Sequence, residues 1–237
     1  MNLTKIFSFL LLVFGLQIST LYAQNNLGFY AGPTAGRFFG FSAYETEFNI
    51  KPGIVLGSHY EEKIDSTTYL RFGLQYQYQL ADLDIKEYGG HYSGSRVIAD
   101  YRFNQIRLSI GYGIKLTSVR KVNAQITFGG WTGYNFHSHV KGNAWYMTSA
   151  SAIDTSGNHV HYTKMETIEF NGRDKKSITP FGAGVYLGWS MAFPVNEKVS
   201  FLFHNEYFMS LTNFPSLRKT GGGFLTGVLG FGITYKL

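Results

Sequence analysis

The chain has 237 residues, 17% aromatic and only 15% charged, with 28 glycines and no cysteine. That composition excludes a disulfide framework, a thiolate metal site and a lipid-modified N-terminal cysteine, and it favours a glycine- and aromatic-rich β-structure over a helical domain. The formal charge of +6 falls to +5 (20 basic minus 15 acidic residues) once the segment holding Lys5 is set aside. The basic residues are scattered rather than gathered in one patch, which argues against nucleic-acid binding.

The N-terminus reads as a secretory address. Met1–Lys5 carries one positive charge, Ile6–Ile18 is an apolar run of 13 residues, and Ser19–Ala23 is a short, small and polar close. The run is too short to span a bilayer as a helix, and the three-part pattern predicts a signal peptide over residues 1–23, with cleavage after Ala23. Residues 24–237 are then the mature domain.

Eight segments of the mature chain alternate with period 2, the mark of a strand with two different solvents on its faces. They are Leu27–Phe39, Ile50–Glu61, Thr68–Leu80, Asn104–Leu116, Ala124–Phe136, Thr179–Phe193, Lys198–Leu211 and Gly223–Leu237. The third sets Leu70, Phe72, Leu74, Tyr76, Tyr78 and Leu80 against Arg71, Gly73, Gln75, Gln77 and Gln79. In the last, Leu225, Leu229, Phe231, Ile233, Tyr235 and Leu237 oppose Phe224, Thr226, Val228, Gly230, Gly232, Thr234 and Lys236. Charges inside the strands share the small, glycine-rich face, Arg37 being the exception. A soluble sandwich would turn its bulky face inward and its charges to water. Here the bulky face is the one free of charge, and the other is too small and polar to be an ordinary core.

The connections alternate in length. Glu62–Thr67, Thr117–Asn123 and Pro194–Glu197 are short, whereas Gly40–Asn49, Ala81–Phe103, His137–Ile178 and Thr212–Gly222 are long. Short turns on one rim and long loops on the other predict an all-β, eight-stranded antiparallel up-and-down transmembrane β-barrel. Such a barrel leaves no sheet edge exposed to lipid. The even strand count places both termini on the short-turn side, which is periplasmic in an outer-membrane barrel.

The motifs Leu27-Gly-Phe-Tyr-Ala-Gly32, Leu74-Gln-Tyr76, Leu211-Thr-Asn213 and Gly232-Ile-Thr-Tyr235 make the mature chain resemble the small outer-membrane β-barrel family common in Bacteroidota, sometimes labelled porin-like or PorT-like. The resemblance implies localisation to the cell outer membrane and carries no catalytic residues to transfer. The closing Gly232-Ile-Thr-Tyr235-Lys-Leu237 also resembles the C-terminal insertion signal of such barrels. Gly232, Tyr235 and Leu237 are therefore the expected contacts with the barrel-insertion machinery, although many such signals end in Phe. Outer-membrane lipid and lipopolysaccharide are the expected surroundings, and the excess of positive charge suits them.

Eight charged or titratable residues are expected inside the barrel: Lys51, His59, Glu61, Arg71, Arg107, Lys115, His204 and Glu206. Arg107 and Glu206 should lie near mid-barrel, His59, Glu61, Arg71 and Lys115 lower, with Arg71 close to His59 and Glu61 across a hairpin. An eight-stranded interior is just wide enough for side chains to fill, and a mixed basic and acidic lumen lets buried charges find partners. A polar plug is the reading, with a narrow passive pore for small solutes or ions as the alternative. With the plug, the role is structural or lies in binding by the long outer loops, which would meet a protein or surface partner. An accessory subunit of a secretion machine is a further alternative, from family analogy only.

The remaining motifs carry less. His137-Ser-His139 and His159-Val-His161 have ligand-like spacing, but the Asp154–Asn158 stretch is a good turn. A hairpin about it pairs residues whose numbers sum to about 312. His159 and His161 then face Ile153 and Ser151, far from the other two, so no metal site is expected. For catalysis, His204, Glu206 and Ser210 lie on one face, yet their spacing spans about 20 Å of strand and no nucleophile elbow occurs. The chain is not expected to be an enzyme. Gly221-Gly-Gly223 lacks the helix and Lys-Ser/Thr of a phosphate loop, so no cofactor is expected.

Overall fold

A computed structural model describes residues 25–40, 45–47, 49–86, 96–119, 122–153, 155–157, 159–173, 180–212 and 222–237. The segment expected from sequence to be a signal peptide, residues 1–23, lies outside them. Ten strands are present: β1 (Asn26–Gly40), β2 (Glu45–Glu47), β3 (Lys51–Lys63), β4 (Thr68–Lys86), β5 (Arg96–Val119), β6 (Val122–Ile153), β7 (His159–Arg173), β8 (Phe181–Pro194), β9 (Val199–Ser210) and β10 (Gly222–Lys236). Eight of them close into an antiparallel barrel in the order β4-β3-β1-β10-β9-β8-β6-β5, with β5 returning to β4. The first strand zips to the last from Asn26↔Lys236 to Gly40↔Gly222. The barrel is all-β and closed, as the alternation predicts.

The short rim is made by local hydrogen bonds. In the β3–β4 turn, Asp65 accepts from the Thr68 hydroxyl at 2.6 Å, from the backbone N–H groups of Thr67 and Thr68 at 2.7 and 2.8 Å, and from the Thr67 hydroxyl at 3.0 Å. Those donors hold its carboxyl well below the usual carboxylate range. In the β8–β9 turn, Asn196 Oδ1 accepts from the N–H groups of Lys198 and Val199 at 2.9 and 2.8 Å. Both are Asx turns, which explains why four residues suffice to reverse the chain.

The strands above the other rim run further than the alternation predicts. β5 has 24 residues and β6 has 32, so much of the expected loops Ala81–Phe103 and His137–Ile178 is sheet. β7 pairs with the upper half of β6, from His139↔Arg173 to Ile153↔His159, every pair summing to 312. Its turn contains Gly157 at φ +84°, a left-handed conformation that suits glycine. The alternation lost these extensions because a bulge between Asn104/Gln105 and Asn135–His137 shifts the register by one residue. One extra residue exchanges the two faces of β6: Trp131 points inward below the bulge, and Ser138 and Ala144 do so above it.

At the same height the solvents of the two faces change over. Below Asn104, the outer face of β5 presents Ile106, Leu108, Ile110, Tyr112, Ile114 and Leu116, all exposed, while its inner face buries Gln105, Arg107 and Ser109. Above it, the outer face presents Arg102 and Asp100, both exposed, while Ala99, Tyr101 and Phe103 are buried inside against Phe38, Ala81 and Phe224. The ten steps from Ile106 to Leu116 cover about 33 Å of strand, or roughly 25 Å of height at a ~40° tilt, the thickness of an outer-membrane apolar band.

The lower lumen is not uniformly small and polar. Tyr30, Val55, Trp131, Tyr186, Leu202, Phe208 and Val228 form a second apolar cluster within it. The alternation over Lys198–Leu211 singled out the polar inward residues and left out Leu202 and Phe208. Glycines on the neighbouring strands seat these rings: a Cβ at Gly57 would lie 2.2 Å from the Tyr30 ring, and one at Gly113 would lie 1.9 Å from the Tyr69 ring. Large side chains from one strand thus fill the space that glycine leaves on the next.

Candidate functional site: the lumen network and its two mouths

Six of the eight predicted interior residues meet inside the barrel. His59 and Glu61 are two apart on β3, His204 and Glu206 are two apart on β9, and both pairs point inward. The two imidazoles stack across the lumen with centroids 5.8 Å apart, and Tyr30 packs on His204 at 4.5 Å. His59 Nε2 lies 3.7 Å from Glu61, and His204 Nε2 lies 3.1 Å from Glu206.

Arg71 of β4 bridges the two acidic residues. It donates through Nε and Nη2 to Glu61 Oε1 at 3.2 and 2.6 Å, and its Nη1 stands 3.7 Å from Glu206 Oε1. Its Nη2 also reaches Ser190 at 3.2 Å, on the opposite wall. Glu61 is completed by Gln125 Nε2 at 3.0 Å and Asn26 Nδ2 at 3.1 Å. Glu206 accepts from Gln75 Nε2 at 2.7 Å, and the same amide donates to the Tyr30 hydroxyl at 2.6 Å. Arg71 is 1% exposed, so this is a buried charge held by partners on β3, β8 and β9.

Arg107 is different. It is 2% exposed and lies between the rings of Trp131 and Phe208, 4.8 and 4.7 Å from their centroids. Its polar contacts are neutral: Gln105 Oε1 at 2.6 Å and Thr226 Oγ1 at 3.2 Å, while Nη1 has no hydrogen-bond partner. Among the described residues, no acidic group stands within ion-pair distance of it. Two aromatic faces are what stabilise the cation.

Lys51 and Lys115 do not join the buried network. Lys51 sits where β3 begins at the long-loop rim, 37% exposed and 3.3 Å from Asp82. Lys115 is partly buried at the opposite end, where with Asn26, Glu61, Gln125, Thr234 and Lys236 it lines a vestibule of about 200 Å³. Both sit at the ends of the barrel, where a long amphipathic stem can bring its ammonium toward water, which an inward parity alone does not reveal. The neutral members Tyr30, Gln75, Gln105, Gln125, Ser190 and Thr226 were not selected from sequence, although their inward parity was the signal that could have found them.

The other motifs fall outside this network. The β6–β7 register places His159 opposite Ile153 and His161 opposite Ser151, with His139 fourteen residues along β6 from Ile153. His139 Nε2 lies 2.9 Å from Asn171 Oδ1. Among the described residues, no group of three or more metal-ligating side chains converges. The Ser210 hydroxyl is engaged with Thr212, 2.8 Å from its Oγ1.

A second concavity lies on the outer face of the β5–β6–β7 sheet, above the apolar belt. It encloses about 290 Å³ and is lined by Ile98 and Asp100 of β5, Lys141, Asn143 and Trp145 of β6, and Glu169 and Asn171 of β7. These residues share one face because Asp100, Lys141 and Asn171 are register partners, as are Ile98, Asn143 and Glu169.

No family model matches the chain, and no curated protein matches it in sequence. Solved structures of similar outline include the outer membrane protein OprG from Pseudomonas aeruginosa (10% identity, TM-score 0.48, 91% of this chain and 97% of that one). Neisserial surface protein A (13%, 0.40, 90% and 97%) and Ail, the attachment invasion locus protein of Yersinia pestis (10%, 0.39, 90% and 99%), are similar over as much of the chain. The fold of this chain rests on its own strand pairings.

Proposed function

We propose that the mature protein is an integral outer-membrane barrel whose lumen is closed by its side-chain network and whose function lies in binding at the tall β5–β6–β7 sheet. The observation that carries this reading is the exchange of faces at Asn104. A wall with its apolar side outward over roughly 25 Å, and its polar side outward beyond, suits lipid below and water above. The cross-lumen bonds of Arg71, Gln75 and Arg107, with rings seated against glycines, favour a closed interior over a passage. Both termini then lie in the periplasm with the short turns, and the tall sheet stands outside the cell.

The chain has no cysteine, so single cysteines report topology without interference. Thr155→Cys in the β6–β7 turn should react with a membrane-impermeant maleimide on intact cells, and Glu197→Cys in the β8–β9 turn only after permeabilisation. The reverse pattern, or recovery of the protein in the soluble fraction, would overturn the proposal. A narrow pore is the second reading, favoured by the vestibule that leads from one rim to Glu61; bilayer conductance separates the two.

A further inference from the structure

The groove on the outer face of β5–β6–β7 combines an indole, two carboxyl groups, two amides and an ammonium around one concavity. Asp100, Lys141 and Glu169 make no ion pair or hydrogen bond among the described residues, and each is accessible from outside. An apolar ring face beside several uncommitted donors and acceptors matches the surface of a pyranose, which has an apolar C–H face and a rim of hydroxyls. A purely anionic ligand would meet two carboxyl groups, and an apolar ligand would strand most of the lining. The volume of about 290 Å³ suits one or two sugar rings.

Position identifies the source. The groove opens sideways, on the face that is lipid-facing lower down, and Asp100 and Ile98 stand six and eight residues above Ile106 on β5. That is about 20–27 Å of strand, or roughly 15–20 Å of height at a ~40° tilt. Between the belt and the groove lies a row in which Arg102 pairs with His139. Rising along this wall, the chemistry runs from apolar, past the Arg102 guanidinium, to a polar groove with an aromatic end. An outer-leaflet glycolipid has acyl chains, then anionic headgroup phosphates, then sugars, in the same order.

We infer that the groove formed by Asp100, Lys141, Asn143, Trp145, Glu169 and Asn171 is a saccharide site that takes the core sugars of the glycolipid standing beside the barrel in the outer leaflet. This rests on the outer-membrane reading above. Trp145 would stack on a ring face while Asp100, Asn143 and Glu169 bond hydroxyls. Arg102 and Lys141 would meet the phosphates below and beside them.

The test uses the full mature chain folded in phospholipid vesicles free of lipopolysaccharide, its folding checked by a heat-sensitive shift in gel mobility. The probes are the deacylated core oligosaccharide from the source bacterium's own lipopolysaccharide, the intact glycolipid, and a panel of unrelated soluble glycans, read by calorimetric titration. The core oligosaccharide should bind, the intact glycolipid should bind more tightly through Arg102, and Trp145→Ala should weaken both at least tenfold. Trp189→Ala, on the lipid-facing belt, should leave binding unchanged. Binding that ignores Trp145→Ala and Asp100→Asn, or no binding by folded and inserted protein, would overturn the site while leaving the outer-membrane reading intact. Binding of unrelated glycans in preference to the core would overturn the assignment to the leaflet. Failure of the chain to insert at all would instead contradict the outer-membrane reading.

Discussion

Removing the guanidinium of Arg71 by Arg71→Met tests whether the lumen network is a set of mutually dependent charges. The change keeps most of the side-chain volume but removes the Nε and Nη2 bonds to Glu61 at 3.2 and 2.6 Å, the bond to Ser190 and the approach to Glu206. Breaking a buried ion pair from one side costs about 3–5 kcal/mol. Here Glu61 keeps Gln125 and Asn26 as donors, and Glu206 keeps the Gln75 amide, with His204 Nε2 3.1 Å away. The low end therefore applies, about 3 kcal/mol, or a shift of roughly a hundredfold in the folding equilibrium. Urea unfolding in phospholipid vesicles, read by gel mobility, measures it. Adding Glu61→Gln should recover about 1–2 kcal/mol, because the stranded carboxylate is gone. A single variant within about 1 kcal/mol of the parent, or a double variant less stable than the single one, would refute the reasoning.

Three further outcomes follow from the same structure. Gly57→Ala should lower stability by about 1–3 kcal/mol, since its Cβ would lie 2.2 Å from the Tyr30 ring, whereas Gly172→Ala, with nothing within 4 Å, should not; the same urea assay compares them. Ile110→Lys, at the middle of the apolar belt, should cost about 2–4 kcal/mol in vesicles, while Ile98→Lys, above Asn104, should cost little, and equal costs would move the proposed boundary. The turn carboxyl of Asp65 sits below its unfolded value, so its contribution is present above that value and is lost as pH falls through the folded one. Asp65→Asn should therefore be less stable than the parent at neutral pH, with the gap narrowing in acid; a gap that widens in acid would contradict the sign.

The barrel was legible because lipid and lumen impose opposite demands on alternate residues, and Leu70–Leu80 or Ile106–Leu116 obey them without exception. Above Asn104 both faces change solvent and a bulge shifts the phase, so the same rule reads β5 and β6 as loops. Only the turn at Asp154–Asn158 and the pairing sum of 312 preserved the upper hairpin. Within the lumen, parity brought His59, Glu61, Arg71, Arg107, His204 and Glu206 to one interior. It did not show that Arg71 joins both glutamates, because that depends on rotamers of strands distant in sequence. Nor did it distinguish Lys51 and Lys115, which stand at the two ends of the barrel apart from the buried network. Phe208 escaped notice because an aromatic on the polar face makes sense only once Arg107 is seen lying on it.

Whether the interior is closed is decided most directly by planar-bilayer conductance of the folded, purified protein beside its Glu206→Gln variant. The cross-lumen bonds of Arg71 and Gln75 and the rings around Arg107 predict no steady conductance from either. A steady conductance that shifts when Glu206 loses its charge would show a water-filled path past that residue, and would contradict the closed lumen.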